Sequence, residues 1–188
     1  MDAHWILTAI WIVWGLVWAS GAIHNKQTLK VQASTSRKGQ ALLVIAGFIL
    51  LGTKLGRIGP LGWRYLPDAE WVAWMGTATT GAGAIWAIWA RVLLGRNWSS
   101  SVTIKQDHSF IRGGPYRFVR HPIYTGGILG LFGAAIVQGT IGAFIAVALA
   151  SVGWWGKSRL EEEYMVAQFG AEYRQYRHEV KALIPYIL

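Results

Sequence analysis

The feature that most constrains this fold is an uncharged stretch from Pro122 to Gly156. It runs for about 35 residues without Asp, Glu, Lys or Arg, whereas a membrane-spanning helix needs only about 20 apolar residues. The polar, turn-forming triplet Gln138-Gly139-Thr140 divides the stretch near its middle. We therefore predict a helical hairpin with arms at roughly 123–137 and 141–156, whose two ends return to the same side of a membrane.

Three further apolar runs precede the hairpin. They extend over Trp5–Ile23, Ala41 to about Ile58, and Trp71–Leu94, and each is near the length of a spanning helix. The first run could be a cleaved signal peptide, but residues 1–4 lack the basic region that begins such a peptide. The sequence thus predicts an all-α, polytopic integral membrane protein with about five transmembrane helices.

The composition supports a membrane environment. Hydrophobic residues make up 53% of the chain and charged residues 14%, against about 25% charged residues in typical soluble domains. A net charge of +9 can indicate nucleic-acid binding, but the basic residues lie between apolar runs, so no nucleic-acid partner is predicted. The absence of cysteine excludes disulfides and thiolate sites, and the five histidines lack metal-ligand spacing.

The distribution of basic residues predicts the orientation of the chain. Segments 24–40, 95–121 and 157–188 carry four, five and five Lys or Arg residues, and five spans place all three on one side. Cytoplasmic loops are enriched in Lys and Arg, so this side is predicted to be cytoplasmic, with the N-terminus outside. Residues 59–68 are read as turns.

Two polar clusters flank the hairpin. Arg120, His121 and Tyr124 lie at its start, and 157–163 follows its end. Because a hairpin brings its ends together, we expect the two clusters to meet. Pro122 suits the first turn of a helix, where free backbone N–H groups favour a ligand carboxylate.

Each residue of these clusters has an ordinary explanation when taken singly. Arginines beside a span are usually anchors, a lone histidine is usually structural, and a glutamate run is usually solvated, as we expect for Glu163. Tyr173 and Tyr176 fit interfacial packing, and a small-residue face at Gly126, Gly130 and Gly133 predicts close helix packing. The combination of the clusters, rather than any one residue, indicates a site.

The same residues carry a family resemblance. The pattern Gly-Pro-Tyr-Arg-x-Val-Arg-His-Pro-x-Tyr-x-Gly at 114–126, then an apolar hairpin, Glu161-Glu162, Phe169-Gly170-x-x-Tyr173-x-x-Tyr176 and Pro185 resembles the isoprenylcysteine carboxyl methyltransferases. The related phospholipid N-methyltransferases share this outline. The resemblance covers about 95–186 and implies that the connector and the last two helices enclose S-adenosylmethionine in a cytoplasmic cofactor pocket. Residues 95–188 would form the methyltransferase site, and residues 1–94 a scaffold with access for a lipid substrate.

Carried over position by position, the resemblance implies a set of cofactor contacts: His108, Ser109, Phe110, Ile111, Tyr116, His121, Pro122, Ile123, Tyr124 and Glu161. The family's substrate-orienting arginine aligns with Lys157. Lysine cannot make the bidentate grip of arginine on a carboxylate, so either Lys157 performs this role more weakly or Arg159 replaces it. Arg120 and Glu162 complete the catalytic candidates.

These assignments predict methyl transfer from S-adenosylmethionine to a lipophilic or lipidated substrate that enters sideways from the membrane lipids. The favoured reaction is carboxyl O-methylation of an isoprenylcysteine-like group. A carboxylate needs no base, only a cation to hold it, and Lys157, Arg159 and Arg120 are the candidate cations. N-methylation of an amino-phospholipid is the alternative and would need a base, with Glu162 as the candidate.

Two alternatives belong to other classes. A membrane reductase using NADPH has a similar C-terminal pattern, although sterol-type reductases are much longer. A non-enzymatic membrane protein such as a transporter subunit would carry polar residues within several spans, and these spans have almost none.

Overall fold

The computed structural model describes residues 2–22, 28–31, 34–95, 103–105 and 111–187. These residues form five helices and two short strands, in the chain order α1 (Ala3–Ala22), β1 (Thr28–Val31), α2 (Ser34–Gly52), α3 (Glu70–Leu94), β2 (Thr103–Lys105), α4 (Pro122–Gln138) and α5 (Ile141–Glu179).

The predicted helical architecture is confirmed, and a short two-stranded ribbon accompanies the helices. Strands β1 and β2 pair antiparallel, and residues 24–40, expected to be a loop, contain β1 and the first turns of α2. Both strands contain β-branched residues, which favour extended backbone. Hydropathy could not reveal this ribbon because neither strand has a continuous apolar run.

Helix α2 ends earlier than predicted. It stops at Gly52 rather than near Ile58, and short 3-10 turns follow at Lys54–Arg57 and Gly59–Gly62. The chain turns there because it packs against α5: a Cβ on Gly142 would lie 2.1 Å from the carbonyl oxygen of Gly56. Close backbone contact with a neighbouring helix therefore ended the helix within an apolar run.

The predicted helical hairpin is present. Helix α4 begins at Pro122 and ends before Gly139, whose left-handed backbone (φ 64°) begins the turn. The side chain of Thr140 accepts a backbone hydrogen bond from the first turn of α5. Arg64 donates to the carbonyl of Gln138 at 3.1 Å, where a cation complements the negative end of the α4 dipole.

Helices α3 and α4 pack through glycines. A Cβ on Gly133 would lie 2.5 Å from the carbonyl oxygen of Gly76, so the two backbones are in contact. The Thr80 hydroxyl donates across the interface to the carbonyl of Gly130 at 3.1 Å. Small residues and interhelical hydrogen bonds hold helices together where lipid removes the hydrophobic drive between them. The small-residue face predicted for α4 is confirmed.

The other helices complete a bundle in which successive helices alternate in direction. Helix α1 runs parallel to α3, since the Thr77 hydroxyl donates to the carbonyl of Ala3 and Trp14 lies further along beside Ala87. Helix α2 is antiparallel to α5, with Gly47 against Ala146. A buried cluster joins α2, α4 and α5, formed by Leu51, Leu131, Ala134, Ala135, Ala143, Ala146 and Ala150.

The outer surface of the bundle is strongly apolar. Large exposed side chains cover it, among them Trp5, Leu16, Ile45, Trp71, Ile85 and Val152. By length and composition, Ala3–Ser20 and α5 are able to cross a membrane, and Lys38–Gly52 and Pro122–Gln138 are shorter apolar helices. An apolar exterior of this kind fits lipid better than water.

Helix α5 continues well beyond its apolar part, which ends at Gly156. Its direction changes at Gly170, where the backbone is non-helical (φ 55°, ψ −121°). The chain after the helix returns to the start of α4, where the N–H of Arg120 donates to the carbonyl of Lys181 at 2.8 Å. The chain after Gly156 thus continues as a helix and then folds back against the start of α4.

The glycine packing makes a specific prediction about stability. Gly133→Ala places a methyl group against the α3 backbone and should destabilise the protein by about 1–3 kcal/mol, despite the better helix propensity of alanine. Gly81→Ala is the matched control, because its Cβ would lie an ordinary 3.6 Å from Ile10. Thermal unfolding in detergent measures both. Equal melting temperatures for the two variants would show that the α3–α4 contact is looser than described.

Candidate active site

The two polar clusters meet where α4 begins and the apolar part of α5 ends. Arg120 Nη2 lies 2.6 Å from Glu162 Oε1, and His121 Nε2 lies 3.1 Å from the same oxygen. The Tyr124 hydroxyl donates to Glu161 Oε1 at 2.6 Å. The hairpin geometry therefore joins segments that are about 40 residues apart in sequence, as predicted.

Glu162 is the most deeply buried charged group of this cluster, with 2% of its surface exposed. Its Oε1 accepts from Nε and Nη2 of Arg120, and its Oε2 lies 3.2 Å from Nε of Arg177. Burial raises the pKa of Glu162. The hydrogen bond and charge of His121 and the charge of Arg120 together lower this pKa by more than burial raises it, so the net pKa lies below the ordinary value. Glu162 is thus an ionised, charge-balancing residue.

His121 connects the two glutamates. Its Nδ1 lies 3.4 Å from Glu161 Oε2, while its Nε2 faces Glu162. Burial lowers the pKa of His121, but hydrogen bonds to Glu161 and Glu162 raise it more, so the net pKa is above the ordinary value. The two carboxylates therefore favour the protonated form of the imidazole.

Glu161 is the carboxylate nearer the surface, with 23% of its side chain exposed. Burial raises the pKa of Glu161, and the opposing effects of His121, Lys157 and Tyr124 lower it below its usual value. A partly exposed anion beside a hydroxyl and a lysine is suited to recognising a polar, positively charged ligand group.

Three stacked aromatic rings lie beside the Glu161 carboxylate. The Tyr124 ring lies nearly parallel to the rings of His121 (5.6 Å between centroids, 8°) and Trp154 (6.1 Å, 11°). Lys157 Nζ lies 5.5 Å from the centre of the Tyr124 ring. Trp154, Lys157 and Glu161 are three and four positions apart and so share one face of α5.

The structure separates the two candidate substrate-binding cations. Arg159 is exposed and lies 5.5 Å over the ring of Trp155 on its own helix. A position two residues from Lys157 and Glu161 is rotated by about 200° around the helix, so Arg159 faces away from the cluster. Lys157 is the candidate that the structure brings to the site.

The remaining residues predicted to contact the cofactor differ in how deeply they are buried. Tyr116 is buried, its hydroxyl lies 3.5 Å from the carbonyl of Ala90, and burial together with the charge of Glu161 raises its pKa. Pro122 is buried as the first residue of α4, while Ile111 and Ile123 are half-buried. His108, Ser109 and Phe110 lie outside the described residues. Within the described ranges, no group of His, Asp and Glu side chains is arranged to hold a metal ion.

Sequence reasoning missed the contribution of the C-terminal segment. Arg177 is the second cation on Glu162, Tyr176 donates its hydroxyl to the carbonyl of Tyr116, and Thr125 donates to the carbonyl of Leu183 at 2.7 Å. Arg120 also donates to the carbonyls of Arg177 and Val180. The buried pair Tyr173 and Tyr176 offered the one available signal, since tyrosines three apart on a charged helix indicate a face that packs.

Comparisons with known proteins find similarity to methyltransferases. The sequence profile of the phospholipid methyltransferase family matches residues 71–172. The protein-S-isoprenylcysteine O-methyltransferase of Schizosaccharomyces pombe is 35% identical over 52% of this chain and 43% of that protein. The methanethiol S-methyltransferase of Mycobacterium tuberculosis is 28% identical over 96% of this chain and 76% of that protein.

A solved structure shares the fold. The eukaryotic intramembrane Ras methyltransferase, an isoprenylcysteine carboxyl methyltransferase, superposes with a TM-score of 0.53 at 19% identity, covering 82% of this chain and 55% of that one. This chain thus spans about half the length of that protein and of the S. pombe relative. The family match covers the helices and polar clusters that form the site, and the chain belongs to the phospholipid methyltransferase family.

Proposed function

We propose that this chain is an S-adenosylmethionine-dependent methyltransferase of the membrane, and that its acceptor is the carboxylate of an isoprenylated cysteine. The observation that carries the proposal is the meeting of Arg120 and His121 with Glu161 and Glu162 at one end of an apolar hairpin. This arrangement places a polar, charged cluster directly beside lipid-facing helices. Membership of a methyltransferase family and the relatives' names support the assignment.

The residues at the site fit the cofactor. S-adenosylmethionine, when bound, supplies a methyl group on a positively charged sulfur. Glu161 offers a partly exposed carboxylate for the cofactor's positive groups, and the rings of Tyr124 and His121 offer flat surfaces beside it. His121 and Tyr116 would hold the polar ends, together with His108–Ile111. Desolvation and alignment are the main tasks in such a displacement.

Lys157 is proposed to hold the acceptor. Its ammonium lies on the face of α5 that carries Glu161 and Trp154, directly after the apolar part of the helix. A carboxylate acceptor is already a nucleophile and needs only a cation to orient it. Glu162 is unsuited to act as a base for an amine acceptor, because it is buried, ionised and held by two arginines.

We also propose five membrane crossings with the site at the cytoplasmic face and the N-terminus outside. The alternating helix directions and the concentration of basic residues in 24–40, 95–121 and 157–188 support this orientation. In this arrangement residues 1–94 form the scaffold and the lateral access for the lipid chain, and 95–188 form the site.

A small thiol is the second candidate acceptor. The relative that covers 96% of this chain is a methanethiol S-methyltransferase, so this candidate rests on near full-length similarity. A thiolate, like a carboxylate, needs no base once ionised.

Cofactor binding tests the proposed role of Glu161. Calorimetry should show that the purified protein binds S-adenosylmethionine and that Glu161→Gln weakens binding about tenfold or more, because a charge-assisted hydrogen bond is lost. Glu163→Gln, an exposed neighbour, is the control and should bind as wild type does. NADPH binding without S-adenosylmethionine binding would replace the proposal with a reductase.

The acceptor prediction uses a labelled methyl donor and three acceptors: an S-prenylated N-acetylcysteine, methanethiol and vesicles containing phosphatidylethanolamine. We expect base-labile methyl ester on the prenylated cysteine. Lys157→Gln should raise KM for this acceptor, Lys157→Arg should restore it through bidentate contact, and Arg159→Gln should leave it unchanged. Label in the thiol or the phospholipid alone would exclude the carboxylate.

Glu162 should matter for folding whichever acceptor is used. Glu162→Gln leaves Arg120 buried without its counter-charge and should cost about 3–5 kcal/mol of unfolding free energy. The measurement is thermal unfolding beside Glu163→Gln, which keeps the cluster intact. A stable Glu162→Gln variant that loses only turnover would instead favour a role in proton transfer.

A further inference from the structure

We propose that Trp154 is a positioning residue for the cofactor site: it fixes the plane of the Tyr124 ring so that the Tyr124 hydroxyl stays hydrogen-bonded to Glu161. This inference rests on the proposed function, because Glu161 is the carboxylate assigned to the cofactor. Trp154 lies in the apolar part of α5 and has no place in the sequence pattern that indicates the site.

The first support is the orientation of the Tyr124 ring. Near-parallel rings of His121 and Trp154 flank it, with interplanar angles of 8° and 11°. The Tyr124 hydroxyl lies at the end of this ring and reaches Glu161 Oε1 at 2.6 Å. Tilting the ring would move the hydroxyl away from the carboxylate. His121 also contacts the glutamates directly. Trp154 touches the cluster through the Tyr124 ring, so its substitution tests the orientation of that ring.

The second support is the way Trp154 is itself held. A Cβ on Gly127 would lie 2.7 Å from Cη2 of the indole, so the ring occupies the space that this glycine leaves on α4. Phe48 of α2 meets the indole edge to face, at 6.4 Å and 84°. Gly127 is three residues after Tyr124 and on the same face of α4. Three helices therefore set the position of one ring.

The neighbouring Trp155 does not share the contact that Trp154 makes with the Tyr124 ring. Trp155 lies on another face of α5 and stacks with Arg159. Trp154 and Trp155 are similar in exposure and adjacent in sequence, but only Trp154 contacts the Tyr124 ring. The two positions form a matched pair for substitution.

The test measures S-adenosylmethionine binding by calorimetry for Trp154→Leu, Trp155→Leu, Tyr124→Phe and the double variant Trp154→Leu/Tyr124→Phe. Trp154→Leu should weaken binding about five- to tenfold, as expected for the loss of one aromatic stack, and Trp155→Leu should bind within about twofold of wild type. If Trp154 acts through the Tyr124 hydroxyl, the double variant should bind no more weakly than the weaker single variant. If Trp154→Leu does not fold, Trp154→Met also removes the aromatic plane, with an unbranched, flexible side chain that adapts to irregular space.

Wild-type binding by Trp154→Leu, or effects that multiply in the double variant, would overturn the positioning role. A wild-type protein that binds no S-adenosylmethionine would instead refute the proposed function. In that case the NMR titration of His121 decides the inference, since His121 faces Glu161 and Glu162 and lies beside Arg120. Trp154→Leu should lower the titration midpoint by loosening Glu161, and a midpoint equal to that of wild type and Trp155→Leu would contradict the inference.

Discussion

The buried carboxylate of Glu162 brings the polar segments of this protein together. Glu162 on α5 cannot be buried as an anion unless cations reach it, and those cations come from two other segments: Arg120 and His121 before α4, and Arg177 beyond the turn at Gly170. Satisfying one charge therefore draws the base of the hairpin and the C-terminal segment together. Because Glu162 takes the arginines, its neighbour Glu161 is left to face the surface with Tyr124 and Lys157.

The membrane-facing part of the structure makes this polar cluster possible. Helices α3 and α4 approach closely because glycines line their contact, so the apolar bundle holds its shape through close packing together with interhelical hydrogen bonds such as that of Thr80. The two ends of the hairpin then differ in character. At the tip, Arg64 and Gly139 close the turn; at the base, the charges gather. An acceptor with a lipid chain would meet the charged base while its chain stays among the helices.

Hydropathy and one turn triplet were enough to predict the hairpin, because both signals are local. The meeting of the His121 and Glu161 clusters followed from that topology. That Lys157 and Glu161 face Tyr124 of α4 could not be predicted, since it depends on how α5 is rotated against α4, although helix periodicity places Arg159 on another face. The contacts of Trp154 and Arg177 were also hidden: the first depend on the space left by Gly127, and the second on a change of direction at Gly170. The early end of α2 depends in the same way on a backbone contact with a distant helix.

In the proposed site, residues before α4 and residues after the apolar part of α5 enclose one cofactor. Ultraviolet cross-linking of S-adenosylmethionine, carrying a radiolabel in its methyl group, to the purified protein can detect this shared site. After proteolysis, label is expected in peptides from both segments, 111–124 and 154–165, and excess S-adenosylhomocysteine should suppress it. Label confined to one of these segments, or found in α1 or α2 instead, would contradict a shared site.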